Sequence, residues 1–170
     1  MIILITGASH TGKTLLAQKL LEKYHYPYLS IDHVKMGLIR SGNTALTPYD
    51  DEEMTAYLWP VIREIIKTAV ENGQNLIVEG CYVPADWERD FAPEYLRQIT
   101  FRCLVMTEPY IRDHFDEIKN HASVTEQRVD DSEFDMETAI RENNAYLAAF
   151  GNAGKERILI DNDIISELKQ

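Results

Sequence analysis

The eight residues Gly7-Ala8-Ser9-His10-Thr11-Gly12-Lys13-Thr14 match GxxxxGK[ST] and constrain this chain more than any other feature. The glycines allow backbone dihedrals that other residues resist, so consecutive amides can turn inward around a phosphate. Lys13 brings a point charge for β- and γ-phosphates, Thr14 brings a hydroxyl for Mg²⁺, and a helix starting there aims its positive end at the same anion. At ordinary residue frequencies a chain of this length contains the pattern by chance roughly 0.5% of the time. Residues Gly7 to Leu15 are therefore read as a nucleoside triphosphate site: Gly7, Ala8, Ser9, His10, Thr11, Gly12, Lys13, Thr14 and Leu15 bind nucleotide, and Thr14 serves the metal. ATP and Mg²⁺ are the expected cofactors.

The flanks of the motif have the right periods. Ile2-Ile3-Leu4-Ile5 is a short apolar run of the kind that forms a strand buried on both faces of a parallel sheet. After Lys13 the spacing becomes helical, with Leu15, Leu16, Leu20 and Leu21 on one stripe. Pro27 to Ile31 reads as a second strand ending at Asp32, and Val34 to Arg40 as a short helix stopped by Ser41-Gly42-Asn43. Met54 to Val70 carries apolar residues every three or four positions, predicting a long helix that Pro60 kinks and Asn72-Gly73 ends. Residues 75–80, 101–106 and 157–161 complete five strands. Strands alternating with helices imply parallel βαβ units in one domain over residues 1–170, an α/β fold with helices on both faces of the sheet.

Composition bears on partners. The chain of 170 residues carries a net charge of −11, which disfavours a nucleic-acid partner or an anionic membrane surface. The charge is uneven: residues 1–40 hold five cations against two acids, so the remaining 130 residues carry fourteen net negative charges. Two cysteines, Cys81 and Cys103, support neither a disulfide framework nor a four-ligand zinc site. The opening residues lack the basic flank of a signal peptide, and no segment approaches the roughly 18 apolar residues of a membrane span. A cytoplasmic protein with reduced thiols is the expectation.

GASHTGKT after the first strand, SIDH after the second and VEG at the end of the third together resemble the P-loop kinases of small molecules, the nucleoside-monophosphate kinase and shikimate kinase group. The stretch SIDHVKMGLIRSG is also similar, loosely, to 2-phosphoglycerate kinases. The resemblance implies a three-layer P-loop NTPase fold with a five-stranded parallel sheet in the order 2-3-1-4-5. It also implies a substrate-binding insertion at about 33–73, a lid at about 107–135, and a small-molecule phosphoryl acceptor held over the carboxyl edge of strands two and three.

The resemblance assigns roles residue by residue. Asp32 is placed like the carboxylate that holds a substrate hydroxyl or a metal-bound water, and an acid there could orient the attacking hydroxyl and accept its proton; its competing reading is an Asx-type cap for the helix near Val34. Glu79 lies where related kinases contact substrate or a Mg²⁺-bound water, with a capping or ion-pair role at the strand end as its competing reading, and Gly80 after it would let a ligand approach the backbone. Arg40 stands where an anionic group of the acceptor would be met, or where it would simply complement the end of a helix. Arg128-Val129-Asp130-Asp131, with Glu137, Thr138 and Arg141 beyond, resembles the end of an adenylate kinase lid. Arg112 matches an arginine against the adenine or a phosphate. Arg128 and Arg141, with Lys13 and Asp32, are the expected catalytic set, because phosphoryl transfer is stabilised mainly by positioned charge.

Other assignments compete. A nucleotide-controlled binding module is the alternative to an enzyme, although neither an N-K-x-D nor a D-x-x-G string of a GTPase switch occurs. A toxin-like or antibiotic kinase would share the loop and differ only in its acceptor. His10 is expected to point away from the phosphates, and the Tyr57, Leu58, Trp59 cluster to be core or cleft wall. The oligomeric expectation is a monomer or a homodimer.

Overall fold

The structure, a computed structural model, describes residues 1–125 and 134–161. Its elements in chain order are β1 (Ile2–Gly7), α1 (Lys13–Tyr24), β2 (Tyr28–Ser30), α2 (Ile31–Arg40), α3 (Asp51–Glu71), β3 (Leu76–Glu79), a 3₁₀ turn (Trp87–Asp90), α4 (Pro93–Leu96), β4 (Ile99–Met106), α5 (Glu108–Thr125), α6 (Met136–Asn152) and β5 (Arg157–Ile160). The five strands form one sheet in the order β2-β3-β1-β4-β5, with every neighbouring pair parallel. This is the order implied by the resemblance to P-loop kinases.

Successive strand residues point to opposite faces, so each strand feeds two cores. Ile2 and Leu4 pack with Val78, Cys103 and Val105 beneath Met54, Leu58, Ile62 and Ile66 of α3. Ile3 and Ile5 pack on the other face with Ile77, Leu104 and Met106, covered by Leu16 and Ala17 of α1 and by Ile111 and Ile118 of α5. All six residues of β1 are buried, as a central parallel strand requires.

Three sequence expectations need correction. The second strand ends at Ser30, not Asp32, because Ile31 already turns into α2 and buries its side chain completely. Asp32 therefore lies inside the first helical turn, and the cap position belongs to Ser30, so the capping reading of Asp32 does not hold. Of the apolar stripe read along α3, Tyr57 and Val61 are exposed while Leu58 and Trp59 join the core. The helix itself continues through Pro60; the prolyl nitrogen leaves the Ala56 carbonyl without its helical donor, and Ala56 is exposed, so water can serve it. Among the described residues, His114 within α5 departs from helical dihedrals, at φ −125° and ψ 16°, and its Nδ1 lies 3.0 Å from the Tyr110 carbonyl oxygen.

Candidate active site at the carboxyl edge of the sheet

Ligands of parallel α/β sheets sit outside the carboxyl ends of the strands, where the connections diverge. Here β1 delivers the glycine-rich loop to that edge, β2 delivers Ser30 and α2, and β3 delivers Glu79.

Two backbone requirements shape the loop. A Cβ on Gly7 would stand 2.3 Å from the Leu104 carbonyl oxygen of β4, and Gly7 has φ +150°, so a side chain is excluded sterically and conformationally. Gly12 has φ 82° and serves as the N-cap of α1, leaving the next residues free to enter the helix. Lys13 and Thr14 are thus fixed in its first turn. Lys13 is 6% exposed and folds back over the loop, where Nζ donates to the Ala8 carbonyl oxygen at 2.6 Å. Thr11 Oγ1 donates to the same oxygen at 2.9 Å. The His10 ring rests on Phe134, with centroids 3.9 Å apart, and so belongs to the contact with the segment preceding α6. Ser9 and Leu15 are half-buried at the two ends of the turn.

Glu79 is 1% exposed at the last position of β3, in register with Ile5 and Ser30. Its Oε2 accepts a hydrogen bond from Thr14 Oγ1 at 3.4 Å. Adjacent residues of parallel strands point to the same face, so Ser30 shares with Glu79 the side of the sheet that α1 covers. Ser30 Oγ is buried and has no hydrogen-bond partner among the described residues. The edge is tied together by Thr6 Oγ1 donating to the Gly80 carbonyl oxygen at 2.9 Å and by Tyr146 OH donating to the Cys81 carbonyl oxygen at 2.6 Å. Burial pushes the Tyr146 hydroxyl far above its usual pKa, so it stays a donor.

The donor set suits Mg²⁺. A hard cation takes oxygen ligands and keeps several waters, relying on one or two protein oxygens plus phosphates. Thr14 Oγ1, the Glu79 carboxylate and the partnerless Ser30 hydroxyl supply hard oxygens on one face beside the phosphate loop. Among the described residues no group of three or more His, Cys, Asp or Glu side chains could hold a metal unaided.

Asp32 lies in the first turn of α2, two residues past the end of β2. Its Oδ1 pairs with Lys35 Nζ at 3.0 Å, and the same ammonium donates to Tyr82 OH at 2.6 Å. Neither Lys35 nor Tyr82 was singled out by sequence. A lysine three residues after an acid on a helix is a readable ion-pair signal, whereas Tyr82 lies 47 residues away and has no local signal.

Gly80 has a packing reason for being glycine. A Cβ there would stand 2.7 Å from Cβ of Ile31, so the space the sequence reading assigned to a ligand is filled by the first residue of α2. Arg40 ends α2, is exposed, and its side chain makes no ion pair or hydrogen bond with a described residue.

Arg112 and Arg141 are engaged by neighbours on α5 and α6. Arg112 of α5 donates through Nε and Nη2 to Glu108 and lies 3.6 Å from Glu137 of α6, contacts that raise its pKa further. Arg141 Nη2 donates to Thr138 Oγ1 at 3.2 Å. Arg128 and the stretch 128–131 lie outside the described residues. Of the expected lid, residues 108–125 form α5, whose Tyr110, Ile111 and Ile118 are buried against the body. No described helix is long and apolar enough to cross a membrane.

No family model and no curated protein matches the sequence. Solved structures match it in fold. Deoxyadenosine kinase from M. mycoides, with the products dCMP and a flexible dCDP bound, aligns over 99% of this chain and 95% of its own at a TM-score of 0.60 and 14% identity. Shikimate kinase from Bacteroides thetaiotaomicron aligns over 99% of this chain and 94% of its own at 0.55 and 15%. At such identities the likeness is one of fold, and the fold is that of the P-loop kinases.

Proposed function

We propose that this chain is an ATP-dependent small-molecule kinase that moves the γ-phosphoryl group to a hydroxyl or phosphate oxygen of a metabolite. The observation that carries the reading is the meeting of Thr14 with the buried Glu79 carboxylate beside a loop whose lysine is held in its first helical turn. That arrangement combines anion donors with a hard-cation site, which phosphoryl transfer needs and a plain packing motif does not. The two fold neighbours are kinases by name, which supports a phosphotransferase.

In the proposed reaction the bond between Pγ and the β,γ-bridging oxygen breaks and a bond from the acceptor oxygen to Pγ forms, releasing ADP. Loop amides and Lys13 hold the phosphates, Lys13 exchanging its Ala8 carbonyl for phosphate oxygen. Thr14 and Glu79 would hold Mg²⁺, which when bound neutralises charge on the β- and γ-phosphates. Asp32 orients the acceptor hydroxyl and takes its proton as the new bond forms, passing it to solvent. The acceptor lies over the insertion at about 33–73, with Arg40 for any anionic group it carries. The lid proposed at about 107–135 holds Arg112 and Arg128, with Arg141 beyond it in α6; because α5 is packed into the core, Arg112 would reach a phosphate by a side-chain movement that releases its glutamates.

A panel of hydroxyl acceptors, from water and glycerol through hydroxy acids and polyols to nucleosides and nucleoside monophosphates, tests this with ADP release as readout. At least one member should raise ADP release well above hydrolysis by water. Tight nucleotide binding with no acceptor above that floor would instead favour a nucleotide-controlled binding module.

A further inference from the structure

Outside the glycine-rich loop, the side chains of Asp32, Lys35 and Tyr82 tie α2 to the connection leaving β3. Lys35 belongs to the second turn of α2 and is 12% exposed in its side chain, a low value for the most hydrated of cations. Its ammonium has three donors. One goes to Tyr82 OH at 2.6 Å and one to Asp32 Oδ1 at 3.0 Å, while the charge lies 4.9 Å from the centre of the Tyr82 ring. Tyr82 is 5% exposed and follows Glu79 by three residues on the connection leaving β3. Its neighbour Val83 is packed into the core with Ile31, so the anchor is rigid.

Held this way, Asp32 presents a carboxylate with one oxygen tethered and the other, Oδ2, without a partner among the described residues. A carboxylate that must take a hydroxyl proton needs such a lone oxygen in a fixed direction. The tether also puts a positive charge beside Asp32 at an edge that already carries Glu79 and must admit a triphosphate.

We propose that Lys35 is a positioning residue for the reaction: anchored by Tyr82, it fixes the Asp32 carboxylate so that its second oxygen faces the acceptor hydroxyl. The proposal rests on the kinase reading and on the role of Asp32 within it. Lys35 touches neither phosphate nor acceptor; it acts through Asp32, and so its effect exists only while Asp32 is a carboxylate.

The test uses the full chain with Mg·ATP and whichever panel member gives the highest turnover, water being the floor. Variants are Lys35→Met, Lys35→Arg, Tyr82→Phe, Asp32→Asn and the double variant Asp32→Asn with Lys35→Met. Lys35→Met should lower kcat on the order of 100-fold, the scale of a misplaced reacting group. Its Kd for Mg·ADP by calorimetry should stay within about twofold of wild type, because the ammonium does not meet the nucleotide. Lys35→Arg should recover much of the loss and Tyr82→Phe should show a smaller loss. In the Asp32→Asn background, Lys35→Met should cost no more than about twofold further.

Equal slowing by Lys35→Met in both backgrounds would overturn the proposal, as would a normal kcat in Lys35→Met beside a slow Asp32→Asn. Undiminished turnover in Asp32→Asn alone would remove Asp32 from the mechanism and overturn the role of Lys35 while the kinase reading stands; failure of the kinase reading shows instead as no panel member above the water floor. If Lys35→Met folds poorly by thermal melt, Tyr82→Phe carries the comparison: its kcat loss should likewise vanish in the Asp32→Asn background.

Discussion

Thr14 and Glu79, 65 residues apart in sequence, meet at 3.4 Å where the first turn of α1 crosses the end of β3. The contact joins the phosphate loop to the neighbouring strand and places a hydroxyl and a carboxylate where a hard cation would share them with phosphate. Glu79→Gln keeps the shape and removes the charge. The Mg²⁺ concentration for half-maximal ATP turnover should rise about 10- to 100-fold. An Mg²⁺ titration of ADP release checks this, and an unchanged midpoint would exclude Glu79 from the cation site.

Lys13 is buried and its ammonium donates to the Ala8 carbonyl oxygen, a partner that phosphate would replace in the proposed kinase. Lys13→Ala should leave the fold intact and weaken ATP on the order of 10- to 100-fold, the worth of a charge-assisted hydrogen bond. Fluorescence titration with a labelled ATP analogue measures the loss. ATP bound and consumed as in wild type would contradict the site.

Gly80 tests packing rather than chemistry. Gly80→Ala drives a Cβ to within 2.7 Å of Ile31 Cβ, a branched core atom that cannot swing away. We expect destabilisation of about 1–3 kcal/mol from overpacking, seen as a lower midpoint in urea with little change in slope. A variant as stable as wild type would show that space exists there after all.

The two thiols should differ in reactivity. Burial pushes the Cys103 pKa up to about 12, only partly offset by Lys13 and Arg157, so at pH 8 it remains a protonated thiol. Cys81 is half-buried at the site edge. A disulfide reagent should therefore label one thiol per native chain, Cys81, and a second only in denaturant. Mass spectrometry of the labelled peptides decides it.

Asp135 caps α6, its carboxylate accepting from the Thr138 amide, and this bond holds its pKa below the usual aspartate value. A depressed folded pKa contributes stability above the unfolded value and loses it as pH falls through the folded one. The thermal midpoint of wild type should thus exceed that of Asp135→Ala at neutral pH, with the gap closing below the usual aspartate range. A gap independent of pH would assign the effect to something other than the ionised cap.

Much of this was readable in the chain because the signals are local. The burial of all of β1, the left-handed Gly12 and the stop at Asn72-Gly73, where φ is +64°, follow from residue types within a few positions. The boundary of β2 was not, because Ile31 is a good strand residue and enters α2 only as it packs against Gly80. The reason for Gly80 was misread for the same cause: its neighbour in space is 49 residues away in the chain.

Site chemistry divides in the same way. The sequence by itself determined a glycine-rich GxxxxGK[ST] loop between a buried strand and a helix, because each glycine answers a backbone need within the motif and Lys13 and Thr14 follow by covalent spacing. Tertiary structure alone decided which carboxylate meets the Thr14 hydroxyl, that Tyr82 anchors Lys35, and that Arg112 also meets Glu137 of α6. Those pairings depend on parallel register and on crossovers tens of residues long, and no local pattern of residue types encodes the distance between two strand ends.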